Sequence, residues 1–415
     1  MPSMTESGHV LIFEPEYGGH QPSFVRMLVE HVRSHGPGMR LTLAVPGRLI
    51  ERIREEESSD FDADDQVRYH LLSNDDTERC VAGPLPARSL ARWRIFSSAL
   101  KVSKAEHGHF LYFDHMQLPL AVRARPTHGP SISGILFRPS IHEIYSGERS
   151  TLSDRLRETR KRVLYSLMLR NPRLAVAFSL DPYFEDFARR KLPSGQKVVT
   201  LPDPLSALPS GDGCSRPMDY PEDRPGSDRT KFLLFGALTG RKGVAELLEA
   251  VASLPDSARS RLEIVLAGCM DESTRGQVGS LLERHAGLRD CITIIDRFLT
   301  TGELEWLVSH CDVVLAPYQR FVGSSGTLVW AAALQKPVLA QSYGLVGELV
   351  RRFQLGEAVD TQSPDALSGA VARLLDPTLR ARHRQAMLRD QFLAGRTPHD
   401  FGYTWLRALR PHLSI

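Results

Sequence analysis

Residues 202–230 break the chain in two. This stretch, beginning PDPLSALPSGDGCSRPMDYPEDRPGSDR, carries six prolines and almost no periodic apolar pattern, so it reads as a linker. On both sides of it, short apolar runs alternate with helical periods. Val10–Phe13 is followed by the turn-rich EPEYGGHQPS, and then Phe24, Val25, Leu28, Val29 and Val32 fall on one helical face. Pro22 suits the first turn of that helix, Gly36 and Pro37 end it, and Leu41–Val45 reads as the next strand. Strand, glycine loop, helix, strand is the unit of a parallel sheet. Further strands are expected at Phe110–Phe113, Ser131–Phe137, Leu174–Phe178 and Lys197–Leu201. After the linker the rhythm restarts with Lys231–Phe235, Leu262–Ala267, Cys291–Ile295, Val313–Ala316 and Pro337–Ala340, each followed by a helical period except the last.

Length agrees with this division, because 415 residues exceed one ordinary core and suit two of about 200 residues each. The charge balance of 52 Lys+Arg against 49 Asp+Glu gives no nucleic-acid signature. Cys80, Cys214, Cys269, Cys291 and Cys311 are odd in number and none sit at metal-ligand spacing, which fits reduced thiols in a cytoplasmic protein. MPSMTESGHV lacks the layout of a secretion signal, and no apolar run is long enough to span a membrane. Leu152–Arg170 mixes apolar residues with Arg155, Arg157, Arg160, Lys161 and Arg162. It reads as a basic amphipathic helix, which allows a peripheral contact at the inner membrane face beside the commoner reading of a solvated surface.

In open parallel sheets ligands bind beyond the carboxyl ends of strands, so the loops there carry the weight. Gly18-Gly19-His20 follows the first strand and opens a helix, a place where backbone can approach a phosphate; a plain tight turn explains it equally well. Arg241 and Lys242, after Lys231–Phe235, put two fixed cations beside a helix start and can hold a diphosphate. Gly323, Ser324, Ser325, Gly326 and Thr327 follow Val313–Ala316 and offer hydroxyls and free amides to an anion, alongside ordinary N-capping. His115, after Asp114, stands at a strand end, where a lone histidine is more often structural. Arg138 and Glu348 complete the candidates. No metal site is expected: Asp62-Ala63-Asp64 lies in an acidic run with no strand before it, which favours solvated charge.

These segments, in this order, resemble the retaining GT-B glycosyltransferases of family GT4 (glycosyl transferase group 1). FLTTGELEWLVSHCDVVLAPY and ALQKPVLAQSYGLVGELVRRFQLGEAV resemble the family's helix–strand segment and its A-x-G-K-P-V…G-G-x-x-E…G segment, with Gly344, Glu348 and Gly356 in place. FGALTGRKGVAELLEAV resembles the G-R-L…K-G segment, with Lys242 at the phosphate-binding lysine, and Gly18-Gly19 matches the N-terminal glycine loop. Residues 46–108 contribute little. The sequence departs from the family where two glutamates usually stand beside the donor: Val322 and Trp330 occupy those positions, and Ala237 replaces an arginine.

The resemblance implies an α/β GT-B fold, two Rossmann-like domains facing across a cleft. It would comprise an acceptor-side domain at 1–205, a linker at 206–228, a donor domain at 229–390 and a C-terminal segment at 391–415 returning to the first domain. It further implies a hexosyltransferase-like enzyme (EC 2.4) moving a sugar from a nucleoside-diphosphate sugar to a saccharide, lipid-linked or small-molecule acceptor, with retention. Neither metal nor cofactor is required by that scheme, in which Lys242 and His115 are the catalytic candidates. Two other readings stay open at this point: a non-catalytic relative that binds a nucleotide sugar, and a sugar-nucleotide epimerase on the same fold.

Overall fold

The computed structural model describes residues 8–56, 61–122, 129–139, 152–205, 214–221 and 229–414. The chain forms two compact units, one of residues 1–206 with 395–415 and one of residues 207–394.

Unit 1 holds a seven-stranded parallel sheet. In chain order its strands are β1 (His9–Phe13), β2 (Arg40–Pro46), β3 (Val67–Leu72), β4 (His107–Phe110), β5 (Ser131–Leu136), β6 (Leu174–Ser179) and β7 (Val198–Thr200). They lie in the order β3-β2-β1-β4-β5-β6-β7. Strand β1 is buried along its whole length because helices cover both faces of the sheet. Its side chains alternate between two cores: Val10 and Ile12 join the cluster of Phe24, Leu28 and Trp405, while Leu11 and Phe13 join that of Trp93, Phe96 and Phe110. The last helix, Pro398–Leu409, lies against the first, Gln21–His35.

The strand expected at Phe110–Phe113 is β4, and it starts three residues earlier. Polar residues hid its start. His107 bonds Ser131 Oγ and Ser133 Oγ, each at 2.6 Å, and His109 Nδ1 lies 2.8 Å from Ser133 Oγ. Burial holds the His107 imidazole down at a pKa of about 3, so it is neutral and fits an interior strand. Residues 46–108 are also richer than the sequence indicated. They form β3 and the helices Gly47–Glu56, Asn74–Val81 and Leu85–Ser103. Asp62 and Asp64 of the acidic run pair with Arg54 and Arg33.

Unit 2 holds six parallel strands: β8 (Thr230–Phe235), β9 (Leu262–Ala267), β10 (Ile292–Ile295), β11 (Val313–Ala316), β12 (Val338–Gln341) and β13 (Gly356–Val359). Their order is β10-β9-β8-β11-β12-β13. Phe232, Leu234, Ile264 and Leu266 face a core shared with Leu247, Leu248, Val251 and Leu281. Of the Pro-rich stretch, 206–213 and 222–228 lie outside the described residues. Residues 214–221 pack on unit 2, where Tyr220 meets the Trp306 ring at 5.2 Å and Ser215 N donates to Gly302 O. Among the described residues no helix is long and apolar enough to cross a membrane. The basic stretch forms a helix, Leu152–Leu169, that leaves Leu156, Val163 and Leu167 exposed; the side chains of Arg155 and Arg157 lie outside the described residues.

Candidate functional site

Both sheets reverse their strand order once, between β1 and β4 in unit 1 and between β8 and β11 in unit 2. At such a switch point the loops leave in opposite directions and open a crevice at the carboxyl ends of the strands. The loops singled out from sequence stand at these two places.

In unit 2, the loop after β8 runs through a short 3-10 turn, Gly240–Lys242, into the helix Val244–Ala252. Gly243 joins the two with φ +72°, and a Cβ there would lie 2.0 Å from the Pro317 carbonyl oxygen. Only glycine lets this loop sit so tightly on the one after β11. That contact brings Lys242 under Tyr318. The Lys242 ammonium is almost fully buried; it donates to Phe235 O at 3.0 Å and to the Tyr318 hydroxyl at 3.1 Å. The Tyr318 hydroxyl in turn donates to Thr327 Oγ1 at 2.9 Å and lies 2.7 Å from Ser325 Oγ. Burial pushes this phenol up, but the Lys242 charge and the Ser325, Thr327 and Lys242 hydrogen bonds outweigh it, and its pKa is lowered.

Ser325 is the N-cap residue of the helix Gly326–Ala333, yet its side chain caps no amide, being turned to Tyr318 instead. Leu328 N donates to Ser325 O at 3.1 Å, and the Gly326 and Thr327 amides before it keep their affinity for an external acceptor. Gln341, at the end of β12, holds the preceding loop by accepting from Phe321 N at 3.0 Å and donating to Phe321 O and Tyr343 O. Arg241 stacks over the Phe321 ring at 4.5 Å. The structure thus brings Arg241, Lys242 and Gly323–Thr327 to one place. Glu348 lies on a separate helix, Gly344–Arg352, and pairs with Arg351 at 3.6 Å.

In unit 1, Gly18 and Gly19 form the turn between β1 and the helix Gln21–His35, with Gly19 at φ +65° and His20 as N-cap residue without a side-chain cap. Arg52 ties the turn by donating to Tyr17 O at 2.7 Å. The His20 ring stacks with Phe137 at 6.4 Å, Phe137 meets Tyr112 at 5.2 Å, and Tyr112 meets His115 at 5.0 Å. Asp114 fixes the end of β5 by accepting from Phe137 N and Arg138 N at 2.8 and 2.9 Å. Gly18, Gly19, His20, His115 and Arg138 therefore share the carboxyl edge of β1, β4 and β5. Burial first, and then the Arg92 charge, holds the His115 imidazole down at about 4, so it is neutral near pH 7.

Three residues beside them were not singled out from sequence. Glu14, directly after β1, is fully buried; Arg92, on the helix Leu85–Ser103, is 1% exposed and pairs with Glu16 while donating to Cys80 O at 2.9 Å. Glu14 Oε2, Arg92 Nη1 and His115 Nδ1 have no hydrogen-bond partner among the described residues. Two glutamates in Glu14-Pro15-Glu16, following an apolar strand, were the available signal. Arg92 gave none, because its position depends on how a helix in 46–108 packs.

Burial, helped by the Glu16 charge, raises Glu14 to about 8. A carboxyl raised in the fold favours folding while protonated, fully below its unfolded value and no longer above its folded one. The stability of the protein relative to Glu14→Gln is therefore expected to fall between pH 4.5 and 8. The slope is about 1.4 kcal/mol per pH unit. Urea denaturation of both proteins across that range measures it, and parallel curves would show Glu14 already ionised in the fold.

Residues 220–388 match the family model described as Glycosyl transferases group 1. That stretch contains the whole unit 2 constellation. No curated protein matches the sequence. Among solved structures, sucrose-phosphate synthase from Thermosynechococcus elongatus is similar with a TM-score of 0.66 at 17% identity, covering 97% of this chain and 98% of that one. HepE from Anabaena, solved in complex with UDP, is similar with a TM-score of 0.64 at 14% identity, covering 98% and 100%. A glycosyltransferase from Rickettsia africae gives 0.64 at 13%, covering 98% of each chain. These likenesses extend over both units, and the fold is GT-B.

Proposed function

We propose that the protein is a glycosyltransferase that moves a sugar from a nucleoside-diphosphate sugar to an acceptor hydroxyl. The observation that carries this reading is the buried Lys242 ammonium beside an uncapped helix start at the β8/β11 switch point. A fixed cation and free amides suit a diphosphate, and they hold it most strongly when charge grows on the leaving oxygen. Lys242 and Arg241 would bind the diphosphate with the amides of Ser325–Thr327, while Tyr318 positions Lys242. In unit 1, the orphaned atoms of Glu14, Arg92 and His115 would hydrogen-bond hydroxyls of the acceptor. With retention, the resemblance to GT4 enzymes supports proton acceptance by the donor phosphate itself, with neither metal nor cofactor in that scheme.

Thermal unfolding with UDP, GDP, ADP, TDP and CDP, and with their sugars, tests the reading. UDP comes first because HepE is solved with it. A ligand at 100 times its dissociation constant stabilises by about 2.7 kcal/mol, so one nucleotide is expected to raise the midpoint selectively. Absence of a shift with all of them would remove the donor assignment. Val322 and Trp330, where the resemblance to GT4 enzymes implies glutamates, favour a second reading, a non-catalytic nucleotide-sugar binder. That reading predicts the same shift without turnover for any acceptor.

A further inference from the structure

The first and last helices of unit 1 bring together three histidines that play no part in the proposed transfer. His31 and His35 stand four residues apart on Gln21–His35, and so on one face of it. His399 lies in the first turn of Pro398–Leu409, which Thr397 starts by accepting from Asp400 N at 3.1 Å. Gly402 allows the close approach of the two helices: a Cβ there would lie 2.3 Å from His31 Cγ. The three rings pack at centroid distances of 4.6, 5.5 and 5.1 Å. One ligand nitrogen from each lies within 4.8 Å of the other two. His31 is 5% exposed, and its buried Nε2 has no hydrogen-bond partner among the described residues. An orphaned, buried imidazole nitrogen costs stability unless something occupies it.

We propose that His31, His35 and His399 form a zinc-class metal site that clamps the C-terminal helix to the first helix. Neutral imidazole is a borderline ligand suited to Zn2+, and three of them leave a fourth position for water. Nitrogens about 2.0–2.1 Å from a tetrahedral zinc are about 3.4 Å apart. The exposed His35 and His399 rings reach that spacing by side-chain rotation, around the fixed His31. The site sits at the opposite end of its helix from the Gly18-Gly19 turn: eleven residues from His20 to His31 span about 16 Å. Its role is therefore structural. It ties residues 395–415 to the unit whose strands they follow by almost two hundred positions in the chain.

The test titrates the full chain with Zn2+ against a chromophoric chelator, in a Cys214→Ser/Cys269→Ser background that removes the two exposed thiols. One Zn2+ per chain is expected, with a higher unfolding midpoint that EDTA reverses. Co2+ should give the visible absorption of a tetrahedral nitrogen site. His35→Gln and His399→Gln, both at exposed positions, should leave the fold intact by circular dichroism. Each should weaken Zn2+ by more than about 100-fold, beyond the effect of losing a supporting outer-shell partner. Absence of stoichiometric binding, or binding that neither substitution changes, would overturn the proposal. Donor-nucleotide binding is read separately, so failure of the metal site leaves the transferase reading untouched.

Discussion

Lys242→Met is expected to lower sugar transfer by about 100- to 1,000-fold, the range seen when one preorganised donor to a developing oxyanion is removed. Methionine keeps an apolar stem beneath Tyr318 and removes the charge together with its hydrogen-bond donors. The substitution leaves the Phe235 carbonyl and the Tyr318 hydroxyl each short of one hydrogen bond, at a cost of about 1–3 kcal/mol. Urea denaturation separates that cost from the loss of function. Arginine is not expected to rescue, because a planar guanidinium needs more room and more acceptors than this pocket around one ammonium offers. Calorimetric titration with the nucleoside diphosphate checks the binding half of the argument: affinity should fall alongside transfer. Unchanged affinity and rate would place the diphosphate away from the β8/β11 switch point.

The second large effect is on stability. Gly243→Ala combines a left-handed φ of +72° with a Cβ 2.0 Å from the Pro317 carbonyl oxygen and 2.9 Å from Gln319 Nε2. The left-handed conformation costs about 1–2 kcal/mol for a residue with a Cβ. Forcing the two loops apart adds about 1–3 kcal/mol. A total loss of about 2–5 kcal/mol is expected, confined to unit 2. Hydrogen exchange followed by peptide should show weaker protection across β8 and β11 and unchanged protection in β1 and β4. Gly240→Ala is the control: it is three residues away, with open space where its Cβ would be and no positive φ. It should change stability by no more than about 0.5 kcal/mol. Equal effects of the two substitutions would mean that the loop contact does not constrain the backbone. The prediction also bears on function, because the same contact seats Lys242 under Tyr318.

Much of the architecture was legible because a strand buried on both faces leaves a continuous apolar run, and helices between such runs leave a 3.6-residue period. Val10–Phe13, Lys231–Phe235, Leu262–Ala267 and Val313–Ala316 all correspond to strands for that reason. The signal failed where polar residues are buried in pairs. His107 and His109 lie before the expected strand Phe110–Phe113, yet they belong to β4, where Ser131 and Ser133 satisfy them. It failed again at β3, whose pattern mixes buried and exposed positions, and at Leu85–Ser103, whose arginines conceal the apolar face.

The candidate site divides in the same way. By itself, the sequence determined that glycine loops follow β1, β8 and β11 and that two cations precede the helix Val244–Ala252. Both are local facts, since a loop's composition is read in chain order. Tertiary structure alone decided that Lys242 is buried under Tyr318, that Ser325 turns away from capping, and that Arg92 pairs with Glu16. The clustering of His399 with His31 and His35 likewise depends on it. Each joins residues far apart in the chain or turns a side chain from its usual local partner. Such contacts follow from strand order and helix packing, which balance free energy over a whole unit and leave no trace in the spacing of neighbouring residues.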